Sequence, residues 1–206
     1  MTNPTNKEIT DYFRANIFES LSFYSAWKML DYSKSTGVVS KEMAVRYVEI
    51  QNYHKSFFIT TGRAHLIAFV IQTLHSFDRN ENSYSLFKVD EKEVGQFLEQ
   101  NSSVIKELRS VRNKVFAHKD SRGNPQKYKI PSLIRLDAFF KNLVELYNRL
   151  TRKVSNSTTM FDNAEGIKRD IELMFMNLYR GENIRLKEID IEWLWEKDDS
   201  KASDIL

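Results

Sequence analysis

Residues 90–119 read DEKEVGQFLEQNSSVIKELRSVRNKVFAHK. Asp90 stands where a helix N-cap belongs, and Glu93 falls in the first turn, where the positive end of a helix favours an acid. The sequence then predicts helix from Glu91 to Lys119, with a break or a second start at Asn101-Ser102-Ser103. In its second half Leu108, Val111, Val115 and His118 share one side. The stretch ends in a run of basic residues, with Arg112 and His118 six residues apart.

Outward from there the chain repeats the same kind of pattern. After a loop at residues 120–125, Ile130-Pro131-Ser132 leads into a helix carrying Leu133, Leu136, Phe140, Leu143, Tyr147 and Leu150 on one face. Proline suits such a helix start. A polar link at residues 155–159 precedes a helix from about Phe161 to Tyr179, striped by Ala164, Ile167, Ile171, Phe175 and Leu178. Residues 184–195 alternate imperfectly, which predicts a short strand or an extended arm, with a frayed end at 196–206.

Towards the N-terminus, residues 78–89 have loop composition. Residues 40–77 read as one helical segment with Met43, Tyr47, Ile50, His54, Phe57 and Phe58 on its stripe. Its weak point is Thr60-Thr61-Gly62, two β-branched residues and a glycine. The first helix opens at Thr5 with a capping box, Thr5-Asn6-Lys7-Glu8, and buries Ile9, Phe13, Ile17, Leu21, Tyr24, Trp27 and Leu30 at steps of three and four. The expected fold class is all-α, an up-and-down bundle of about five helices with a C-terminal extension.

Composition agrees. The 206 residues are 41% hydrophobic and 29% charged, with six glycines and three prolines, too few for a turn-rich β fold. Cysteine is absent, so disulfides and thiolate metal sites are excluded and a reducing, cytoplasmic setting is expected. The start, MTNPTNKEITDYF, lacks the basic-then-apolar order of a signal peptide. The longest wholly apolar run considered, Leu66 to Ile71, is far below the roughly 20 residues of a membrane helix, so no membrane partner is expected. The net charge of +3 is unevenly spread: residues 101–155 hold 13 Lys and Arg against 4 Asp and Glu, and the rest of the chain holds 18 against 24. A basic block of this kind attracts polyanions, although a charged run is more commonly a solvated helix face.

Spacing by itself leaves Arg112 and His118 undecided. Six helical residues set them about 120° apart around the axis and about 9 Å along it, so they do not share a face. A helix-end cation and histidine bonded to the last carbonyls would be an ordinary structural pair. A working pair needs the helix end to fray, or a second copy to face the first. The other histidines, His54, His65 and His75, lie eleven and ten residues apart and form no helical ligand pair. No phosphate-binding glycine loop of the P-loop or dinucleotide type occurs.

The run Arg112-Asn113-Lys114-Val115-Phe116-Ala117-His118 resembles the R-x4–6-H signature of the HEPN superfamily, with the polar residue after arginine that is common there. The continuation Lys119-Asp120, and a helix ending near Phe77-Asp78 before the loop Ser83-Tyr84-Ser85-Leu86, resemble the abortive-infection branch. The resemblance covers residues 5 to about 155. It implies a HEPN-like domain over 1–155, with a C-terminal helix and tail over 156–206 packed on it. It further implies a homodimer with a shared cleft, and a metal-independent endoribonuclease of toxin–antitoxin or antiphage type that needs no cofactor. In that reading Arg112, His118 and Asn113 are catalytic, and Arg109, Lys114 and Lys119 bind RNA. Members without activity exist, so a silent HEPN module binding RNA, nucleotide or an antitoxin partner is the alternative. An unrelated helical interaction protein is the third.

Overall fold

A capping box at Thr5 starts the first helix as its sequence requires. Thr5 Oγ1 accepts from the Glu8 backbone N–H at 3.2 Å, and Glu8 Oε2 accepts from the Thr5 N–H at 2.7 Å. The computed structural model describes residues 4–80, 82–114 and 129–188. Within them lie seven α-helices: α1 (Asn6–Tyr32), α2 (Lys41–Tyr53), α3 (Lys55–His75), α4 (Glu91–Gln100), α5 (Ser102–Arg112), α6 (Leu133–Ser155) and α7 (Asn163–Glu188). A 3-10 turn at Leu86–Lys88 lies in the loop before α4. No strand occurs among the described residues.

The all-α class stands, and the count of about five helices rises to seven because two segments, each read with one internal weak point, are fully divided. Residues 40–77 divide at His54 (φ −116°, ψ 37°), not at Thr60-Thr61-Gly62. The break also explains an error in the stripe: the phase resets at His54, so Phe58 stays buried while Phe57 is 57% exposed. The second division, at Asn101 (φ −107°, ψ 18°), falls where the polar triplet placed it. Its backbone N–H and its side-chain Nδ2 both donate to Phe97 O, at 3.0 and 2.9 Å, so the asparagine ties off the end of α4. Residues 184–188 form the last turn of α7 instead of a strand or arm, and residues 189–206 lie outside the described residues.

Long helices pack in alternating directions. Along α1 and α3, Tyr12 meets His75, Trp27 meets Phe69 and Asp31 meets Gly62, so the two run antiparallel. Between α1 and α6, the Tyr147 hydroxyl donates to Thr10 O at 3.0 Å and the Tyr24 hydroxyl donates to Asp137 at 2.7 Å, again antiparallel. The main core joins these helices through Phe13, Trp27, Phe69, Leu108, Phe139 and Leu143, all essentially inaccessible. A smaller core docks α7: Phe175 stacks on Tyr47 at 4.3 Å and on Phe58 at 5.2 Å.

Helix α3 is long and apolar enough, by length and composition, to cross a membrane. Short apolar runs do not reveal this, because His65 and Gln72 bound the run Leu66 to Ile71. Its inner face, including Leu66, Phe69, Val70 and Leu74, packs into the core, and its outer face stays open at Phe57, Ala64 and Ile71.

Candidate functional site

The end of α5 carries the motif arginine. The helix is amphipathic, with Val104, Ile105, Leu108 and Val111 buried and the cations outside. Phe97, just before it, rests on Phe139 with ring centroids 5.5 Å apart. Arg135, one helical turn earlier in α6, reaches Ser103 at 3.0 Å and Glu107 at 2.9 Å. So α5 advances against the direction of α6, towards the end of the bundle where α6 starts. The C-terminal end of α1 and the first turns of α3 occupy that same end.

Arg109 and Arg112 fill the last turn of α5, three residues apart on one exposed face. Their positive charge suits the carbonyl end of the helix. The one acidic residue of α5, Glu107, is held by Arg135 and neutralises neither of them. Arg112 Nε donates to the side-chain oxygen of Asn113 at 3.2 Å. Asn113 is the C-cap, and its backbone N–H bonds back to Arg109 O and Ser110 O. The cap therefore fixes the asparagine, and the asparagine steadies the guanidinium through Nε, so that an anion could be met by the two terminal nitrogens, which have no acid partner among the described residues. Neither arginine forms an ion pair among the described residues. Lys114 is exposed beside them.

His118 and Lys119 lie outside the described residues, as does Val115. The described structure brings Arg109, Arg112, Asn113 and Lys114 together and does not place the other two. The remaining histidines are scattered: His54 lies 3.3 Å from Glu182, His65 Nδ1 lies 3.1 Å from Thr61 O, and His75 Nε2 lies 3.0 Å from the Tyr12 hydroxyl. No three His, Asp or Glu side chains among the described residues converge to hold a metal ion.

A cleft of about 870 Å³ opens at this end of the bundle, between α1, α2 and α3. Its wall includes Trp27, Asp31 and Ile130, and Lys34, Lys55 and Arg63 stand around it. Ile130 follows the motif segment as the chain returns to the bundle. No sequence signal points to the cleft, since its charged residues are spread over two separate segments, 31–34 and 55–63, and only packing gathers them.

Comparison with known proteins fits this arrangement. The family model HEPN AbiU2, described as AbiU2, matches residues 6–175, from the start of α1 to Phe175 in the middle of α7. No curated protein and no solved structure shows a significant match. The match spans most of the chain, including the arginine-to-histidine motif and every described helix in whole or in part. The chain is a member of the AbiU2 family of HEPN proteins, of the abortive-infection type.

Proposed function

We propose that this protein is a metal-independent endoribonuclease of abortive-infection type, acting through Arg112, Asn113 and His118. One observation carries the reading: two exposed arginines without ion pairs among the described residues end α5, with Arg112 steadied by its neighbouring asparagine, in a HEPN chain whose motif continues to His118. Arginine offers a permanent cation with a bidentate fork for phosphate oxygens. Histidine exchanges protons near neutral pH.

In the proposed reaction a ribose 2′-hydroxyl loses its proton to a base as its oxygen attacks the adjacent phosphorus. The bond from phosphorus to the 5′-oxygen of the next nucleotide breaks, and that oxygen takes a proton from an acid. The products are a 2′,3′-cyclic phosphate and a free 5′-hydroxyl. His118 supplies proton transfer, and Arg112 stabilises the charge that builds on the phosphate. Arg109, Lys114 and Lys119 hold the flanking backbone. A homodimer brings two His118 side chains to one cleft, so that one acts as base and the other as acid.

Cleavage of an end-labelled single-stranded RNA in EDTA, with the matching DNA as control, tests the reading. Wild-type protein cuts the RNA alone. His118→Ala and Arg112→Ala each lower the rate by about 10²- to 10⁴-fold. Equal cutting by wild type and His118→Ala, or no cutting by either, overturns it.

A further inference from the structure

The cleft at the end of the bundle where α5 finishes has the makings of a second contact with the substrate. Apolar and aromatic side chains, among them Trp27, Phe58 and Leu66, line it together with polar ones such as Tyr32, Gln51 and Asn52. Trp27 is fully buried, yet its indole Nε1 has no hydrogen-bond acceptor in good geometry. The indole is next to the Asp31 carboxyl, whose pKa is raised by partial burial and lowered in smaller measure by the neighbouring Trp27 and Lys34.

The Asp31 carboxyl has room against α3 because no side chain stands opposite it. A Cβ on Gly62 would stand 2.3 Å from Asp31 Oδ1, so any residue larger than glycine displaces the carboxyl. Glycine in the middle of α3 costs up to about 1 kcal/mol relative to alanine. Here it lets a carboxyl lie against the helix, beside the indole, on the cleft wall.

Around the cleft, Lys55 and Arg63 are exposed on the first turns of α3 and form no ion pair among the described residues. With Lys34 they set three cations against the single acid Asp31. An occupant therefore has a flat, largely apolar body, hydrogen-bond donors to meet the carboxyl, and an anionic group to meet the cations. A nucleotide has all three, and guanine offers two adjacent N–H donors to a carboxylate. A cleft of this size lies within the usual range for small-ligand sites.

We infer that the cleft of Asp31, Lys55 and Arg63 is a nucleotide subsite that takes one base, preferentially guanine, with its phosphate on the α3 cations. The inference rests on the ribonuclease reading, because it places a flanking nucleotide at the bundle end that carries Arg112. A free mononucleotide and one unit of an RNA strand share this chemistry.

The test is equilibrium binding by wild type, Lys55→Ala/Arg63→Ala and Asp31→Asn. The probes are a fluorescent single-stranded RNA with methylated 2′-hydroxyls, in guanine-bearing and uracil-only versions, and free GMP and UMP. Both cations are exposed, so the double variant keeps its fold, which circular dichroism checks. Its affinity for the RNA falls about tenfold, and the slope of log K against log salt falls by about 1.4, at roughly 0.7 per phosphate contact. Asp31→Asn removes the preference for guanine over uracil. Weakened GMP binding in the same variants shows that a mononucleotide suffices, and weakened RNA binding alone shows that a strand is needed; either supports the subsite. Wild-type affinity and salt slope in the double variant overturn it, as does a wild type that binds none of the probes. Because the methylated RNA cannot be cut, binding that depends on these cations in a protein that cleaves nothing keeps the subsite and removes the ribonuclease reading. Cleavage by a protein whose binding ignores the cations does the reverse.

Discussion

Gly62 and Asp31 show how one residue's identity is set by a neighbour that the sequence does not place beside it. In the native background, Gly62→Ala forces Asp31 out against a helix-propensity gain of up to about 1 kcal/mol. With Asp31→Ala already present, the clash is gone and the same change stabilises the protein. Thermal melts of the four proteins in this cycle have a non-additive term if the contact is real, and additive effects remove it. Asp90 is a simpler case. It accepts from the Glu93 N–H at 2.9 Å and pairs with Lys153 at 2.8 Å, and these bonds hold its carboxyl below the usual carboxylate range, the backbone bond first. A depressed folded value means stability present above the unfolded pKa and lost as pH falls through the folded one. Asp90→Ala accordingly costs about 1 kcal/mol near neutral pH. Denaturant melts show the gap closing below about pH 4, and a gap unchanged down to pH 2 contradicts the assignment.

At the scale of elements, α7 depends on a small separate core. Phe175 is its one fully buried residue, stacked on Tyr47 and Phe58. Phe175→Ala costs about 3 kcal/mol, and amide exchange shows the loss concentrated in residues 163–188 while α1, α3 and α6 stay protected. Uniform loss of protection would mean that α7 belongs to the main cooperative unit. Tyr47 contributes its ring, whereas its hydroxyl is buried without a partner. Tyr47→Phe is therefore neutral or stabilising, since it removes an unsatisfied group. Burial first, then the charge of Glu172, push the Tyr47 hydroxyl from 10.0 up to about 12. The unfolded chain ionises this group first, so wild-type stability falls across that window and the Phe variant lacks this component. The helix faces of α1, α5 and α6 could be read from the sequence because their stripes are uninterrupted and amphipathic. The boundary at His54 could not, because no proline, glycine or capping residue marks it.

For the whole molecule, the outer face of α3 is the largest question. The helix is apolar nearly all round, a pattern usual for a buried helix, but Phe57 and Ile71 are 57% and 45% exposed. They lie seven residues either side of exposed Ala64, so an antiparallel pairing centred there sets each phenylalanine against the isoleucine of a second copy. That geometry suits the proposed homodimer. Phe57→Lys/Ile71→Lys converts a dimer to a monomer in sedimentation equilibrium and leaves the helical circular dichroism unchanged. A monomeric wild type, or a double variant that remains dimeric, rejects this face.

The sequence by itself determined the helical class, the capping box at Thr5, the buried faces of the long helices and the family motif from Arg112 to His118. These depend on near neighbours: three- and four-residue periodicity, caps and a short linear pattern. Tertiary structure alone decided that Glu107 is taken by Arg135, leaving Arg109 and Arg112 without an acid among the described residues, and that Asp31, Lys55 and Arg63 share one cleft. Those relations join residues far apart in the chain, and only the antiparallel packing of α1 on α3 and of α5 on α6 brings their charges within reach of one another.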